Sequence, residues 1–260
     1  MKVALIQMDV AFGEPERNFE KAELLLARAA EHQPDAIVLP ELWNTGFFPR
    51  ENLFALADPI AAQTKVLCSM FANEHQVNIV AGSVAERRGK ELYNACYIFD
   101  RTGFIPASYE KLHLFSTMEE NLSFTPGKHL GWFQLDGVNC GAEICYDLRF
   151  PEQARAMALK GMDVMFVAAQ WPVQRIETLH TLAKARAIEN LCFVCVCNAC
   201  GQAPGTDFGG GSCVFSPLGE TLAIADDTEQ IVTAVLDLSV LPDIRSKINV
   251  FRDRRTDIFN

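Results

Sequence analysis

The sequence predicts a layered α/β fold in which mixed β-sheets are covered by helices. Strand-like and helix-like segments alternate through the first and middle parts of the chain. The segment 36–39 is a continuous apolar run, which is typical of a strand buried on both faces. Turn signals at 100–103 and 217–220 indicate hairpins between these elements. Strands that both alternate with helices and form hairpins indicate mixed sheets with helices packed against them.

The hydrophobic periodicity places the individual elements. Strands are expected, in chain order, at 2–9, 36–39, 77–84, 93–99, 104–109, on either side of Asp136-Gly137, and at 162–168, 191–198, 213–215, 221–225 and 231–236. Helices are expected at 15–32, 61–76, 151–160 and 175–190. The segments 111–128 and 201–212 are expected to be loops, and 239–260 a polar C-terminal arm. Because no repeat, low-complexity tract or linker interrupts the pattern, residues 1–260 are expected to form one domain.

The composition limits the functional classes. A formal net charge of −10 argues against a nucleic-acid-binding protein, which needs a basic face. The nine cysteines lack the regular spacing of a disulfide scaffold, which favours a reducing cytoplasm. No window reaches the ~20 uninterrupted apolar residues that a membrane-spanning helix needs, and the first residues indicate a strand rather than a signal peptide. A cytoplasmic protein that binds neither nucleic acid nor membrane is therefore expected.

Cys145 has the most informative position in the chain. An apolar segment ends there, and a helix is expected to begin at Pro151, because proline is favoured at the first helical position. A thiol on a strand-to-helix turn can point into a cleft, where free N–H groups favour the thiolate. The alternative is a buried thiol that acts as a small hydrophobic side chain. The polar neighbours Tyr146, Asp147 and Arg149 favour a nucleophile.

Glu41 and Lys111 share with Cys145 a position directly after a strand-like segment. In α/β sheets, ligands bind outside the carboxyl ends of the strands. A glutamate can take the thiol proton and pass it to a leaving amine, and a lysine can lower the thiol pKa and hold an oxyanion. A surface ion pair of ~0–1 kcal/mol explains either charged residue singly. Together, the three residues predict a nucleophilic site.

The segments around these residues resemble the three signature segments of the nitrilase superfamily of carbon–nitrogen hydrolases. They are residues 40–43, 109–115 and 144–152, with further matches at 170–172, 185–190 and 216–220. The likeness covers nearly the whole chain in order. It implies a four-layer α-β-β-α sandwich that commonly pairs into homodimers, needs no cofactor, and uses Glu41, Lys111 and Cys145 as its catalytic residues.

The resemblance also implies a second glutamate shortly after the lysine. Spacing from the following Pro-Gly turn favours Glu120, and Glu119 is the alternative. Without a catalytic role, either residue would simply be a charged side chain on the loop surface.

The chemical types of these residues predict a mechanism of amide hydrolysis. Cys145 attacks the amide carbonyl while Glu41 acts as general base. Lys111 and the backbone N–H of Tyr146 are expected to hold the oxyanion. Glu41 then protonates the departing ammonia, and water releases the acid from the thioester.

The substrate is indicated by similarity to the ω-amidase branch, which hydrolyses the terminal amide of 2-oxoglutaramate and 2-oxosuccinamate. The carboxylate of such a substrate needs a cation, and Arg149 and Arg175 are candidates, with structural ion pairs as the alternative. Phe115, Tyr146 and Trp171 are expected to line the pocket, although aromatic residues are more often plain core. Alternative functions are another amidase of the superfamily, acting on N-carbamoyl amino acids or deaminated glutathione, or a non-catalytic thiol sensor.

Some positions depart from the family pattern. Glu143 stands where a small or apolar residue is usual, and it would raise the pKa of Cys145 if it faced inward. Thr178-Leu179 replaces a common His-Trp pair, and Gly211 replaces a common histidine. These departures weaken the substrate prediction and leave the catalytic residues intact.

Other possible sites are less favoured. The cysteines at 192, 195, 197 and 200 lie in an apolar strand, where neighbouring side chains alternate between faces and do not converge on a metal. No metal is therefore expected. His113 is an alternative partner for a Cys–His site, and the run 209–211 lacks the Lys-Ser/Thr ending of a phosphate-binding loop.

Overall fold

A computed structural model, which describes residues 1–47 and 49–258, shows two β-sheets packed face to face between two layers of helices. The helices are α1 (Pro15–Ala30), α2 (Leu53–Leu56), α3 (Ala62–His75), α4 (Glu120–Ser123), α5 (Pro151–Ala158), α6 (Ile176–Asn190) and α7 (Leu241–Lys247). The strands are β1 (Lys2–Gln7), β2 (Ala36–Val38), β3 (Asp58–Pro59), β4 (Asn78–Val80), β5 (Val84–Arg88), β6 (Glu91–Phe99), β7 (Ala107–Glu110), β8 (Gly131–Leu135), β9 (Val138–Ile144), β10 (Val164–Ala169), β11 (Phe193–Asn198), β12 (Cys200–Ala203), β13 (Thr206–Gly209), β14 (Cys213–Phe215), β15 (Thr221–Ile224) and β16 (Gln230–Val235).

Both large sheets are mixed, as the sequence predicts. The first has the order β16-β1-β2-β4-β6-β5-β3, with β7 also paired to β6, and the second has the order β15-β14-β11-β10-β9-β8. Strand β1 pairs parallel with β2 and antiparallel with β16. In the second sheet, β10 pairs parallel with both β9 and β11, while β8 and β14 join by antiparallel pairing.

Side chains that alternate along the strands build three stacked cores. On β1, Leu5 faces the second sheet, whereas Ile6 packs with the buried side chains of α1 and α3. On β10, Phe166 faces the first sheet, whereas Val167 packs with α5 and α6. Because each sheet is covered by helices on one face and by the other sheet on the second face, the predicted four-layer sandwich is confirmed.

The expected strand at 77–84 is wrong, because this segment divides between β4 and β5. The backbone turns at Gly82, which has a φ of +59°, and a Cβ there would lie 2.1 Å from the carbonyl oxygen of Pro40. Only glycine permits so close an approach. The N–H of Ser83 then donates to Pro40 at 3.0 Å, and the Ser83 hydroxyl accepts from the N–H of Leu42 at 3.1 Å. The break in the strand therefore fixes the turn that carries Glu41.

The expected loop at 201–212 is also wrong in its first part. Strands β12 and β13 form an antiparallel hairpin whose two-residue connection is Pro204-Gly205, with Gly205 at a φ of +78°. A Pro-Gly dipeptide is a turn signal, since proline pre-sets the first turn position and glycine accepts a positive φ at the second. The tip of the hairpin, at Gly205 and Thr206, lines the same cavity as Cys145.

The two remaining irregular segments have local structure. Residues 111–128 contain a 3₁₀ turn (Ser116–Met118) and the short helix α4. The C-terminal arm contains α7, where Leu241 joins the core between the sheets and the Arg245 guanidinium donates to Asp163 at 2.7 Å. Within the described residues, no helix is both long enough and apolar enough to cross a membrane.

Candidate active site

Cys145 lies at the end of β9, an interior strand of the second sheet. Its φ of +51° is uncommon for a residue with a side chain, and such backbone conformations concentrate at functional sites. A 3₁₀ turn (Cys145–Arg149) follows, and α5 begins at Pro151, as predicted. The nine cysteines all fall in the described ranges, and eight of them are buried free thiols, whereas Cys145 is partly exposed.

Glu41 is fully buried and bound to residues of both sheets. It follows β2 of the first sheet, and its carboxylate accepts from the N–H of Gln170, which follows β10 of the second sheet, at 3.2 Å. The Gln170 side chain in turn donates to the carbonyl of Glu41 at 2.6 Å. These two bonds hold the glutamate at the edge where the carboxyl ends of the two strands meet.

Lys111 connects two buried carboxylates. Its ammonium lies 2.8 Å from Oε1 of Glu41 and 2.9 Å and 3.0 Å from the two oxygens of Glu120. The amide of Asn94 donates to both glutamates at 3.0 Å and 3.2 Å, and the N–H of Phe115 donates to Glu120 at 2.7 Å. Both carboxylates therefore have hydrogen-bond donors inside the protein, and they share the single positive charge of Lys111.

The structure brings Glu120, and not Glu119, to the lysine. Glu119 is exposed and pairs with the guanidinium of Arg50. The preference for Glu120 from the spacing agrees with this geometry, since α4 begins at Glu120 and turns its carboxylate toward Lys111.

Burial and neighbouring charge set the protonation of this cluster. Burial disfavours the charged lysine, but Glu41 and Glu120 together raise the pKa of Lys111 well above its ordinary value, so it stays an ammonium. Burial raises the pKa of Glu41 against the opposing charge of Lys111. Burial and the Glu41 charge also raise the pKa of Cys145 well above its ordinary value. The thiol therefore holds its proton at rest. The prediction that the strand-to-helix turn favours the thiolate is wrong, because burial and the Glu41 charge oppose it.

Asp147 links the turn Cys145–Arg149 to the segment around Lys111. Its buried carboxylate accepts from the N–H of Ile144 at 3.0 Å, the hydroxyl of Tyr109 at 2.6 Å and the N–H of His113 at 2.9 Å. The His113 ring lies 2.8 Å from the same carboxylate and stacks on Phe150 at 3.7 Å between centroids. These contacts favour a structural role for His113 over the alternative Cys–His site.

A cavity of about 350 Å³ opens onto Cys145. The predicted substrate-binding residues Phe115, Tyr146, Arg149 and Trp171 all line it. Its other lining residues come from loops around the mouth and from the hairpin of β12 and β13; they are Phe47, Met118, Gln170, Pro172, Gln174, Arg175, Gly205, Thr206 and Phe208.

The two candidate arginines lie on aromatic rings rather than on carboxylates. The Arg149 guanidinium is 4.7 Å from the Trp171 ring centroid, and the Arg175 guanidinium is 5.7 Å from that of Phe115. Neither forms an ion pair with any residue in the described ranges, so the structural ion-pair alternative is wrong for both. Both cations remain available to an anionic ligand in the cavity.

Sequence reasoning missed several residues that build this site. Gln170 follows β10 as Glu41 follows β2, so the same rule about strand ends would have found it. Asn94 lies inside β6 and carries no local signal of its contact with the two glutamates. Thr206 and Phe208 were hidden by the assumption that their segment is a loop.

Glu143 faces the helices and not the space between the sheets. Its neighbours on β9, Ala142 and Ile144, pack between the sheets, so strand alternation turns Glu143 toward α5 and α6. Burial and the charge of Asp147 raise its pKa well above the ordinary value, against the opposing charge of Arg186. Both of its buried carboxyl oxygens lack a hydrogen-bond partner in the described structure.

The cysteines of the candidate zinc cluster do not converge. Cys195 and Cys197 pack between the sheets, whereas Cys192 packs with the helices. Across the described ranges, no group of three or more His, Cys, Asp or Glu side chains has an arrangement that suits a metal ion.

Comparison with known proteins assigns the family. The carbon-nitrogen hydrolase family model matches residues 2–246. The chain is 42% identical to the 2-oxoglutaramate amidase of Bacillus subtilis (strain 168), over 99% of this chain and 98% of that relative. It is 33% identical to the 2-oxoglutaramate amidase of Paenarthrobacter nicotinovorans, over 97% and 91% of the two chains. The crystal structure of a carbon-nitrogen hydrolase from Helicobacter pylori G27 covers 100% of this chain and 97% of its own, with a TM-score of 0.94 and 27% identity. These matches confirm the predicted resemblance, and the chain belongs to the carbon–nitrogen hydrolase family.

Proposed function

We propose that this protein hydrolyses the terminal amide of 2-oxoglutaramate, or of a closely related keto acid ω-amide, and releases ammonia. The observation that carries the proposal is the buried Glu41–Lys111–Glu120 cluster beside Cys145, the one cysteine among the described residues that line the cavity. The amidase activity agrees with the names of both curated relatives, and the cavity size suits a small molecule.

The reaction begins with proton transfer from Cys145 to Glu41. Because the resting thiol is protonated and the charge of Glu41 acts on it, the proton moves to Glu41 as the bond forms between sulfur and the amide carbon. Glu41 then donates this proton to the leaving nitrogen, the C–N bond breaks and ammonia departs. Water attacks the resulting thioester, Glu41 accepts its proton, and the proton returns to the sulfur as the acid leaves.

Lys111 stabilises the negative charge that develops on the carbonyl oxygen. Its ammonium is aimed by Glu120 and stays charged, so it offers a fixed cation beside the nucleophile. Tyr146 is the second residue of the 3₁₀ turn Cys145–Arg149. The first N–H groups of a helical turn have no acceptor within it, so we assign the Tyr146 N–H as the second donor to the oxyanion. Removing one such oxyanion donor typically costs about 100- to 1,000-fold in rate.

Arg149 is proposed to bind the carboxylate of the substrate. It lies half-buried on Trp171 in the wall of the cavity and has no competing ion pair in the described structure. Phe115 and Tyr146, whose ring centroids are 4.6 Å apart, form part of the apolar wall that packs against the carbon chain. A guanidinium and a carboxylate form a charge-assisted pair that fixes the orientation of the substrate.

Ammonia release from a panel of amides tests the proposal. The panel contains 2-oxoglutaramate, 2-oxosuccinamate, an N-carbamoyl amino acid and, as a non-amide substrate, a nitrile. Deaminated glutathione is followed by release of its dipeptide leaving group, because its hydrolysis frees no ammonia. We expect 2-oxoglutaramate to give the highest kcat/KM, and Cys145→Ala to lose at least about 1,000-fold in kcat because no other group forms the thioester. Cys140→Ala, which removes a buried thiol from β9, the strand that leads to Cys145, is the matched control and keeps the activity.

The outcomes separate the candidate functions. Retained turnover in Cys145→Ala contradicts the nucleophile, and silence of the wild type across the whole panel contradicts the amidase and favours a thiol sensor. A preference for the N-carbamoyl amino acid or for deaminated glutathione moves the chain to another amidase class of the same family.

We also propose that residues 1–260 act as one domain in a cytoplasmic homodimer. The free state of all nine cysteines supports a reducing compartment. Light scattering on the purified protein checks the assembly, and a mass of one chain contradicts the dimer.

A further inference from the structure

The cavity at Cys145 has a charge opposite to that of the whole chain. The chain carries 33 acidic and 23 basic side chains, for a formal net charge of −10. Its field therefore repels an anionic substrate at long range. Yet the described residues that line the cavity include two arginines and neither an aspartate nor a glutamate. The lining of the cavity is therefore positively charged although the chain as a whole is negatively charged, and this charge attracts an anionic ligand.

The two arginines lie at different depths. Arg149 is half-buried and packs on Trp171, whose own exposure is 3%. Arg175 is exposed, at the end of the 3₁₀ turn Val173–Arg175 that leads directly into α6, and it packs on Phe115. One cation therefore lies in the wall and the other at the outer edge of the same cavity.

The aromatic contact keeps the Arg175 charge at this edge. A guanidinium over a ring is attracted by the negative face of the ring without losing its charge. A carboxylate partner would neutralise it, as the acidic partners of Arg88 and Arg245 do elsewhere. Over the described ranges Arg175 has no such partner, so its charge acts on whatever enters the cavity.

We propose that Arg175 is a specificity-determining residue that captures anionic amides at the mouth of the cavity before Arg149 binds their carboxylate. The inference rests on the proposed amidase function for the identity of the substrate. Clefts lined by one sign of charge raise the local concentration of oppositely charged ligands and their association rates. At physiological ionic strength, salt screens a charge beyond about 8 Å. An anionic amide that approaches from solvent therefore meets the charge of Arg175 at the entrance before that of Arg149 in the wall.

Arg87 provides a matched control. Its guanidinium lies 5.1 Å from the ring centroid of Phe54, which is the same kind of contact as that of Arg175 on Phe115. Arg87 does not line the cavity of Cys145. Arg87→Gln and Arg175→Gln therefore remove the same charge and the same type of ring contact, but only Arg175→Gln changes the cavity.

Binding of 2-oxoglutarate, measured by calorimetry at low and high salt, tests the inference without any turnover. We expect Arg175→Gln to raise the Kd about 2- to 5-fold at low salt, as suits an exposed charge pair. Arg87→Gln should bind like the wild type. The Kd of the wild type should rise with salt more steeply than that of Arg175→Gln, because screening removes an attraction that the variant lacks.

Kinetics with a charged and a neutral amide give the second measurement. For 2-oxoglutaramate, Arg175→Gln should raise KM by a similar factor and leave kcat within about twofold, since the residue acts before chemistry. For pentanamide, which lacks the carboxylate, Arg175→Gln and the wild type should have the same kcat/KM. If Arg175 had a purely structural role, Arg175→Gln would lower kcat/KM for both amides by the same factor.

Three results overturn the inference: equal Kd values for Arg175→Gln and the wild type, an equal loss in Arg87→Gln, or no measurable binding of 2-oxoglutarate to the wild type. The proposed function fails separately. If the wild type hydrolyses no amide but binds 2-oxoglutarate in a salt-sensitive, Arg175-dependent way, the capture site stands and the amidase does not.

Discussion

Two buried glutamates near Cys145 in the fold have opposite surroundings. Glu120 is 2% exposed, and its carboxylate accepts from Lys111, Asn94 and the N–H of Phe115. Glu143 is 1% exposed, and neither of its oxygens has a hydrogen-bond partner in the described structure. Burial alone therefore does not identify a functional acid. The hydrogen-bond and charge partners distinguish the two acids. A buried carboxylate with such partners can stay ionised and take part in catalysis, whereas a buried carboxyl group without them is held neutral.

Removing the cation from the Glu41–Lys111–Glu120 cluster should have the largest effect. In Lys111→Met, Glu41 and Glu120 lose the cation that they share and keep only neutral donors such as Asn94. Breaking a buried ion pair by removing one partner costs about 3–5 kcal/mol, so the free energy of unfolding in urea should fall by that amount. Amide hydrolysis should be lost as well.

Lys247→Met is the control for this substitution. Lys247 pairs with Asp243, and both side chains are largely exposed. An exposed pair of this kind contributes at most about 0.5 kcal/mol. Equal urea midpoints for Lys111→Met and Lys247→Met would show that the cluster is not stabilised as its geometry indicates.

Replacing Glu143, the acid without hydrogen-bond partners, should change stability in the opposite direction. The pKa of Glu143 in the native state is raised above its ordinary value of 4.5. Below that value both states hold the proton, whereas at higher pH the unfolded state loses it and the native state keeps it. The wild type therefore loses up to about 1.4 kcal/mol of stability per pH unit until the native pKa is reached.

Glu143→Gln lacks this titration, so its stability relative to the wild type should increase as the pH rises from 5 to 8. Thermal unfolding at several pH values measures the difference. Glu152→Gln, an exposed glutamate on the adjacent α5, should show no such trend. A constant difference between Glu143→Gln and the wild type would mean that Glu143 is ionised in the native protein.

The sequence was sufficient wherever the signal is local. The strand-to-helix turn at Cys145 follows from an apolar run and from Pro151, and both appear in the structure. Glu41 and Lys111 were found because each follows a strand-like segment. The sequence left the orientation of Glu143 open, and alternation along β9 explains it, since Ile144 faces the core between the sheets.

The contacts that complete the site could not be read from the sequence, because they join the two sheets or distant loops. Gln170 and Glu41 are 129 positions apart, and Asn94 reaches Glu41 over 53 positions. The break at Gly82 depends on the close approach of Pro40, which no local pattern shows. The capture position of Arg175 depends on the hairpin and loops that form the cavity around it.

The same glutamate-to-glutamine substitution at Glu41 and at Glu143 gives the most direct test. We would measure kcat for ammonia release from 2-oxoglutaramate at pH 7 in Glu41→Gln and Glu143→Gln. Loss of the general base should lower kcat about 100- to 10,000-fold in Glu41→Gln, whereas Glu143→Gln replaces a neutral acid by a neutral amide and should stay within about twofold. Similar values of kcat in the two variants would contradict the assignment of catalysis to the Glu41–Lys111–Glu120 cluster.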